Sequence, residues 1–198
     1  MGRSNPARTG ALCVGLLLAV PLAGCAQDAP TDPRADARAE APLRSRNGDD
    51  LAALRRATAR FHRLEVGRDA GYTTVVTHPV SGERCLADPQ QGAMGIHFLD
   101  LSLADEAVAI AQPEVLIYEP RSNGELRLAG IEYLVPFAVR PASAEPPRLF
   151  GRDFKQNHTF GVWALHAWAW KHNPAGDFED WNPTVTCEHD DAVGDLPA

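Results

Sequence analysis

Phe160-Gly161-Val162-Trp163-Ala164-Leu165-His166-Ala167-Trp168-Ala169-Trp170-Lys171-His172 is the stretch on which the architecture turns. As a helix it would bring His166 beside Trp163 and Trp170. As a strand, its period of two puts Val162, Ala164, His166, Trp168, Trp170 and His172 on one face and Trp163, Leu165, Ala167 and Ala169 on the other. Gly161 and Asn173-Pro174 bound the stretch as turn residues bound a strand, so the extended reading is preferred. Small alanines opposite large aromatics imply that one face packs closely on a helix and the other lines a roomier cavity.

Working outward, Thr73–Thr77, Gly95–Leu99, Glu114–Tyr118, Leu126–Val135 and Thr184–Cys187 are further β-prone runs separated by Gly, Pro and Asn. Asn123-Gly124 marks a hairpin between two of them, and Leu103–Gln112 reads as a short helix ahead of Pro113. Before the strands, Asp49 or Asp50 can cap a helix in which Leu51, Leu54, Thr58, Phe61 and Glu65 or Leu64 recur at three-to-four spacing, with Gly67 and Gly71 ending it. Arg55, Arg56, Arg60 and Arg63 fall on its polar side. The expected fold is α+β: an N-terminal helix packed on a mostly antiparallel, curved β-sheet or partial barrel.

Three strand residues stand out chemically. His97, Glu132 and His166 each interrupt an apolar run, and a buried imidazole or carboxylate costs free energy unless it is paired or coordinated. One solution is a divalent metal held by two histidines and a carboxylate. The other is a polar core in which His97 bonds Glu132 and His166 bonds a backbone carbonyl. His166 and His172 cannot share an ion on one straight strand, because six residues span ~20 Å. Trp168, Trp170 and His172 join the three as candidate ligand-binding residues on the same face, and Phe178 and Trp181, bracketed by Asn173-Pro174 and Asn182-Pro183, suggest an ordered loop over it. Neither a serine nucleophile elbow, a His-Glu-x-x-His helix nor a phosphate-binding glycine loop occurs.

The N-terminus supplies an address. Arg3 and Arg8 precede an apolar run from Ala11 to Leu22, too short for the ~20 residues of a membrane-spanning helix. Leu22-Ala23-Gly24-Cys25 resembles the lipobox of bacterial lipoproteins, which implies cleavage after residue 24, lipidation of Cys25 and a membrane anchor on the exported side of the cell envelope. Residues 25–48, rich in Ala, Pro, Asp and Arg, read as a tether; 49–189 form a single domain and 190–198 an acidic tail. Losing Arg3 and Arg8 moves the formal charge from −7 to −9, so no basic footprint for nucleic acid exists. With Cys13 and Cys25 accounted for, Cys85 and Cys187 are left in an oxidising compartment, and a disulfide between them is expected, the alternative being two separate buried thiols.

The motifs Gly-Ala-Met-Gly-Ile-His at 92–97, Pro-Glu-Val-Leu-Ile-Tyr-Glu-Pro at 113–120, Gly-Ile-Glu-Tyr-Leu-Val-Pro at 130–136 and Leu-His-Ala-Trp-Ala-Trp-Lys-His-Asn-Pro-Ala-Gly at 165–176, with Trp-Asn-Pro at 181–183, resemble a family of exported bacterial proteins with no assigned activity. The resemblance spans about residues 50–188 and implies no catalytic residues. Three functional classes follow from the residues themselves: a small-molecule-binding domain with an aromatic, His-lined cavity; a metal-binding protein or metal-dependent enzyme using His97, Glu132 and His166; and a structural module of the envelope.

Overall fold

The computed structural model describes residues 48–196. The export signal, Cys25 and nearly all of the tether lie outside the described residues. The first described segment is helical from 48 to 58 (α1), tightens into a 3-10 turn at Ala59–His62, breaks at Arg63 and resumes as α2 (Leu64–Asp69). Asp49 and Asp50 therefore lie within the helix rather than in front of it. Gly67 sits inside α2 because a Cβ there would press to 3.0 Å from Leu116 and 3.3 Å from the Tyr118 hydroxyl; Gly71, at φ +114°, lies just beyond its end. No helix among the described residues is long and apolar enough to cross a membrane.

Nine strands follow among the described residues: β1 (Thr74–Val75), β2 (Cys85–Asp88), β3 (Gly92–Leu99), β4 (Val115–Pro120), β5 (Leu126–Pro136), β6 (Arg148–Leu149), β7 (Arg152–Asp153), β8 (Lys155–Asn157) and β9 (Val162–Ala167). Seven form one curved, open, antiparallel sheet in the order β1-β3-β4-β5-β9-β8, with β2 pairing alongside β1 on β3; β6 and β7 form a separate small hairpin. The fold is α+β with a curved sheet, as expected. The β4–β5 hairpin turns through Asn123-Gly124, with Gly124 at φ +79°.

The strands alternate between two apolar layers, as period two requires. Ile96, Phe98, Leu116, Tyr118, Ile131, Tyr133, Val135, Trp163 and Leu165 pack with Leu51, Leu54 and Phe61 of the helical segment. Val115, Ile117, Leu134, Trp168 and Val185 form the opposite layer. A β-bulge at Ala129, where Ile117 pairs with Gly130 but Tyr118 with Leu128, keeps both Leu128 and Ile131 on the helix side although three positions separate them. Polar ties fix the helix to the sheet. Tyr118 donates its hydroxyl to the Phe61 carbonyl at 2.6 Å, Arg55 Nε donates to the Ala169 carbonyl at 2.7 Å, and Trp170 Nε1 donates to Thr58 Oγ1 at 3.1 Å. Arg55 is thus more than a solvated face.

Two expected elements are absent. Residues 103–112 are not a helix: only Leu101–Leu103 forms a 3-10 turn, because Asp100 accepts the Ser102 amide and Asp105 the Ala107 amide, and side chains that bond nearby amides favour turns over helix. Residues 184–187 are not a strand, since the amides of Thr184 and Val185 are taken by the Asn182 side chain and carbonyl. The acidic C-terminus is not free either. Asp190–Val193 is a 3-10 turn gripped by Arg84, whose guanidinium donates to Asp190 Oδ1, to the Asp190 carbonyl and to the Gly194 carbonyl, and Leu196 packs on the helix-side core. The Cys85–Cys187 disulfide forms beside this clasp.

Glu114, just before β4, is almost fully buried, and one carboxylate oxygen accepts the Leu134 amide at 3.1 Å. Burial pushes its carboxyl from 4.5 up to about 8, the backbone bonds offsetting this only in part. Between those values the folded chain keeps a proton that the unfolded chain has released. Stability from this group is therefore fully present below pH 4.5 and is lost as pH rises toward 8, by at most ~1.4 kcal/mol per pH unit. Glu114→Gln should remove that component. Urea unfolding at pH 5 and pH 7.5 checks it: the variant's loss between the two should be smaller than that of the native chain, and equal losses would refute the assignment.

Candidate metal centre

The centre lies on the sheet face away from α1 and is built by three strands. In β3, Gly95 adopts φ +94°, and a Cβ there would lie 2.6 Å from the Tyr118 carbonyl oxygen, so only glycine fits this bulge beside β2. Its carbonyl sits 3.2 Å from His97 Nδ1. A carbonyl can only accept, so Nδ1 carries the proton and Nε2 keeps its lone pair. That Nε2 faces Glu132 Oε2 at 3.8 Å.

Glu132 of β5 stands directly opposite His166 of β9 in the ladder. Its second oxygen, Oε1, lies 3.9 Å from His166 Nε2, so the carboxylate offers one oxygen to each imidazole. The two rings are perpendicular at 5.9 Å between centroids. One ligand atom from each of the three residues lies within 4.8 Å of the others. Bonds of ~2.0–2.2 Å set three ligand atoms ~3–3.8 Å apart around one ion, so a closure of about 1 Å would bring all three onto it.

All three side chains are buried, and neither ring nitrogen of His166 has a hydrogen-bond partner. Trp168 stacks on His166 at 6.1 Å and donates its own Nε1 to the Glu179 carbonyl, which fixes the imidazole plane. Behind the ring, Asp180 Oδ1 lies 3.6 Å from Nδ1, and its Oδ2 is held by Lys155 at 3.2 Å. A carboxylate there selects the tautomer that leaves Nε2 free for a metal.

Electrostatics agree with this division. Burial, reinforced by His166, holds His97 down to about 3, so its ring is neutral. Burial raises the Glu132 carboxyl, with His166 opposing. For His166 burial works downward, but Glu132 and Asp180 together hold it above the usual histidine value. The pair Glu132–His166 thus retains a proton between them, in the place a cation would take.

The centre opens into a cavity of about 280 Å³. Val76, Met94, Leu99, Leu134, Phe160 and Val162 contribute to its walls, and His97 and Glu132 to its lining; Asn157 adds one further polar side chain. Leu101, also part of the lining, is largely exposed.

The structure therefore brings together His97, Glu132 and His166, and it separates them from the other candidates. β9 ends at Ala167, since the Trp168 amide bonds the Asp177 carbonyl and the amides of Trp170 and Lys171 both turn to the Ala129 carbonyl at the bulge. Trp168 is consequently packed behind His166, Trp170 packs against His62 and the helix, and His172 is exposed, contributing only its carbonyl to Asn182 and Thr184. None of the three lines the cavity, whose walls are mainly aliphatic rather than aromatic. The sequence reading missed Asp180 and Gly95. Asp180 reaches His166 because Asn182 forms a bridge with Ala93 and carries its loop back onto β3.

Comparison of the chain with protein-family models, curated proteins and solved structures finds no match. The chemistry of these residues has to carry the assignment.

Proposed function

We propose that the domain holds one divalent transition-metal ion through His97, Glu132 and His166 and offers its remaining coordination positions to a small molecule entering from the apolar cavity. The observation that supports this most is His166, a buried imidazole with both nitrogens unbonded and a carboxylate on either side. Both carboxylates stand just beyond hydrogen-bond distance, Asp180 at 3.6 Å and Glu132 at 3.9 Å, which leaves room for an ion on the Glu132 side while Asp180 orients the ring. Two nitrogens and one oxygen suit zinc, iron or related ions, and three protein ligands leave the site open, as in catalytic rather than structural centres. Such an ion supplies Lewis acidity; His97 and His166 bind it, Glu132 offsets its charge, and Asp180 orients His166. The Leu-Ala-Gly-Cys motif at 22–25 supports a location on the exported side of a bacterial membrane, anchored through lipid on Cys25.

The test is elemental analysis of the full chain, expressed with its export route intact and purified from membranes. About one equivalent of metal is expected in the native chain and under ~0.1 in His166→Ala. Asp180→Asn should keep the ion with ~10–100-fold weaker affinity. A native chain that takes up under ~0.1 equivalent after equilibration with zinc, iron(II) and manganese overturns the reading. Membrane recovery that persists in Cys25→Ser overturns the anchor.

A further inference from the structure

Resting on that reading of the centre, we infer that the cavity takes a monoanionic amphiphile of about ten to twelve non-hydrogen atoms, with its charged head on the metal beside His97 and Glu132 and its hydrocarbon body against Val76, Leu99, Leu134 and Val162. Size comes first. A cavity of ~150 Å³ accommodates benzene, so the roughly twofold larger space here suits about twice that number of atoms. At 280 Å³ it is too small for a long acyl chain or a sugar with its hydration shell.

Polarity comes second. The walls contributed by Val76 just after β1, by Leu86 of β2, by Ala104 after the 3-10 turn, by the apolar residues of β3, β5 and β9 and by the turn at Phe160-Gly161 are apolar, and the polar side chains are confined to His97, Glu132 and Asn157. A ligand with polar groups along its body would bury them without partners, whereas a hydrocarbon body loses only water. Leu101 extends the apolar path outward, since it lines the cavity and is still 64% exposed.

Charge decides the head. A divalent ion beside Glu132 leaves one positive charge facing the cavity, because His97 and His166 bind as neutral rings, Glu132 is the only carboxylate in the lining, and Asp180 and Glu179 share Lys155 outside that lining. One anionic group neutralises it. A second negative charge on the ligand body would be stranded among Leu99, Leu134 and Val162.

Calorimetric titration of the zinc-loaded full chain with acetate, butanoate, octanoate, dodecanoate and octanedioate tests this. Affinity should rise at least 100-fold from acetate to octanoate and then stop rising at dodecanoate, and octanedioate should bind at least tenfold more weakly than octanoate. Octanoate affinity should fall at least tenfold when zinc is removed, and also in Ala104→Phe, which adds a ring at a position that lines the cavity. A zinc-loaded chain that binds acetate and octanoate equally, or that binds octanoate equally well without zinc, overturns this inference and leaves the metal centre standing. Should the chain load iron(II) or manganese in place of zinc, the titration is run with that ion; a chain that loads none of the three overturns both, and its metal content reveals that separately.

Discussion

Saturating the centre with a divalent metal should raise the unfolding midpoint of the native chain by about 10 °C, and chelation should abolish the rise. An ion that binds only the folded chain stabilises it by ~4 kcal/mol at a thousand times its dissociation constant. For a domain near 150 residues each kcal/mol is worth ~2–4 °C. The same logic reverses without metal. Glu132 and His166 are then buried polar groups with poor partners, and apolar replacement of such groups is often neutral or stabilising. The double variant Glu132→Leu, His166→Leu should therefore melt at or above the chelated native chain and ignore added metal. Differential scanning calorimetry with and without chelator reads both effects. Native midpoints that agree within ~1 °C under the two conditions, or a double variant that melts well below the chelated native chain, would show that these residues serve the core instead.

The second large effect concerns Cys85–Cys187, which closes a loop across 102 positions. Loop-closure entropy puts its contribution at ~4–5 kcal/mol, a large share of the ~5–15 kcal/mol by which domains are stable. Reduction, or Cys85→Ala with Cys187→Ala, should lower the urea midpoint accordingly, and a loss under ~1 kcal/mol would contradict the estimate. Metal affinity should weaken as well. Cys187 closes the segment whose Asn182 bridges Ala93 and whose Asp180 stands behind His166, so loosening that segment withdraws the carboxylate that orients the ring. A variant that loses stability but keeps full affinity would show that the loop holds its place without the bridge.

His97, Glu132 and His166 are legible in the sequence because each breaks an apolar strand, and a polar group in such a position has to have a reason. The hairpin at Asn123-Gly124, the leading helix and the disulfide are legible for similar local or compositional reasons. Trp170 and His172 mislead because the alternation that runs past Ala167 in the sequence is interrupted by the bulge at Ala129, on a different strand. Asp180 is silent for the same kind of reason: its approach to His166 depends on a backbone bridge between positions 93 and 182. The failed helix at 103–112 was decided by two aspartates that satisfy local amides, an outcome its apolar spacing does not display.

The extra residue at Ala129 acts on β5 as a half-period phase shift. Upstream of it, the hairpin end of the strand keeps Leu128 toward the helix; downstream, Ile131 and Tyr133 do so while Glu132 faces the histidines. The two halves are out of step with each other and in step with their own neighbours. Lengthening or shortening the loop around Asn123-Gly124 leaves the phase at Glu132 untouched. Deleting Ala129 while the hairpin half keeps its pairing only removes the bulge, because Gly130 still meets Ile117 and Glu132 still meets Val115; deleting Ile131, beyond the bulge, instead turns the carboxylate into the helix-side layer. The position of the metal ligand is thus encoded by a count of residues as much as by their identities.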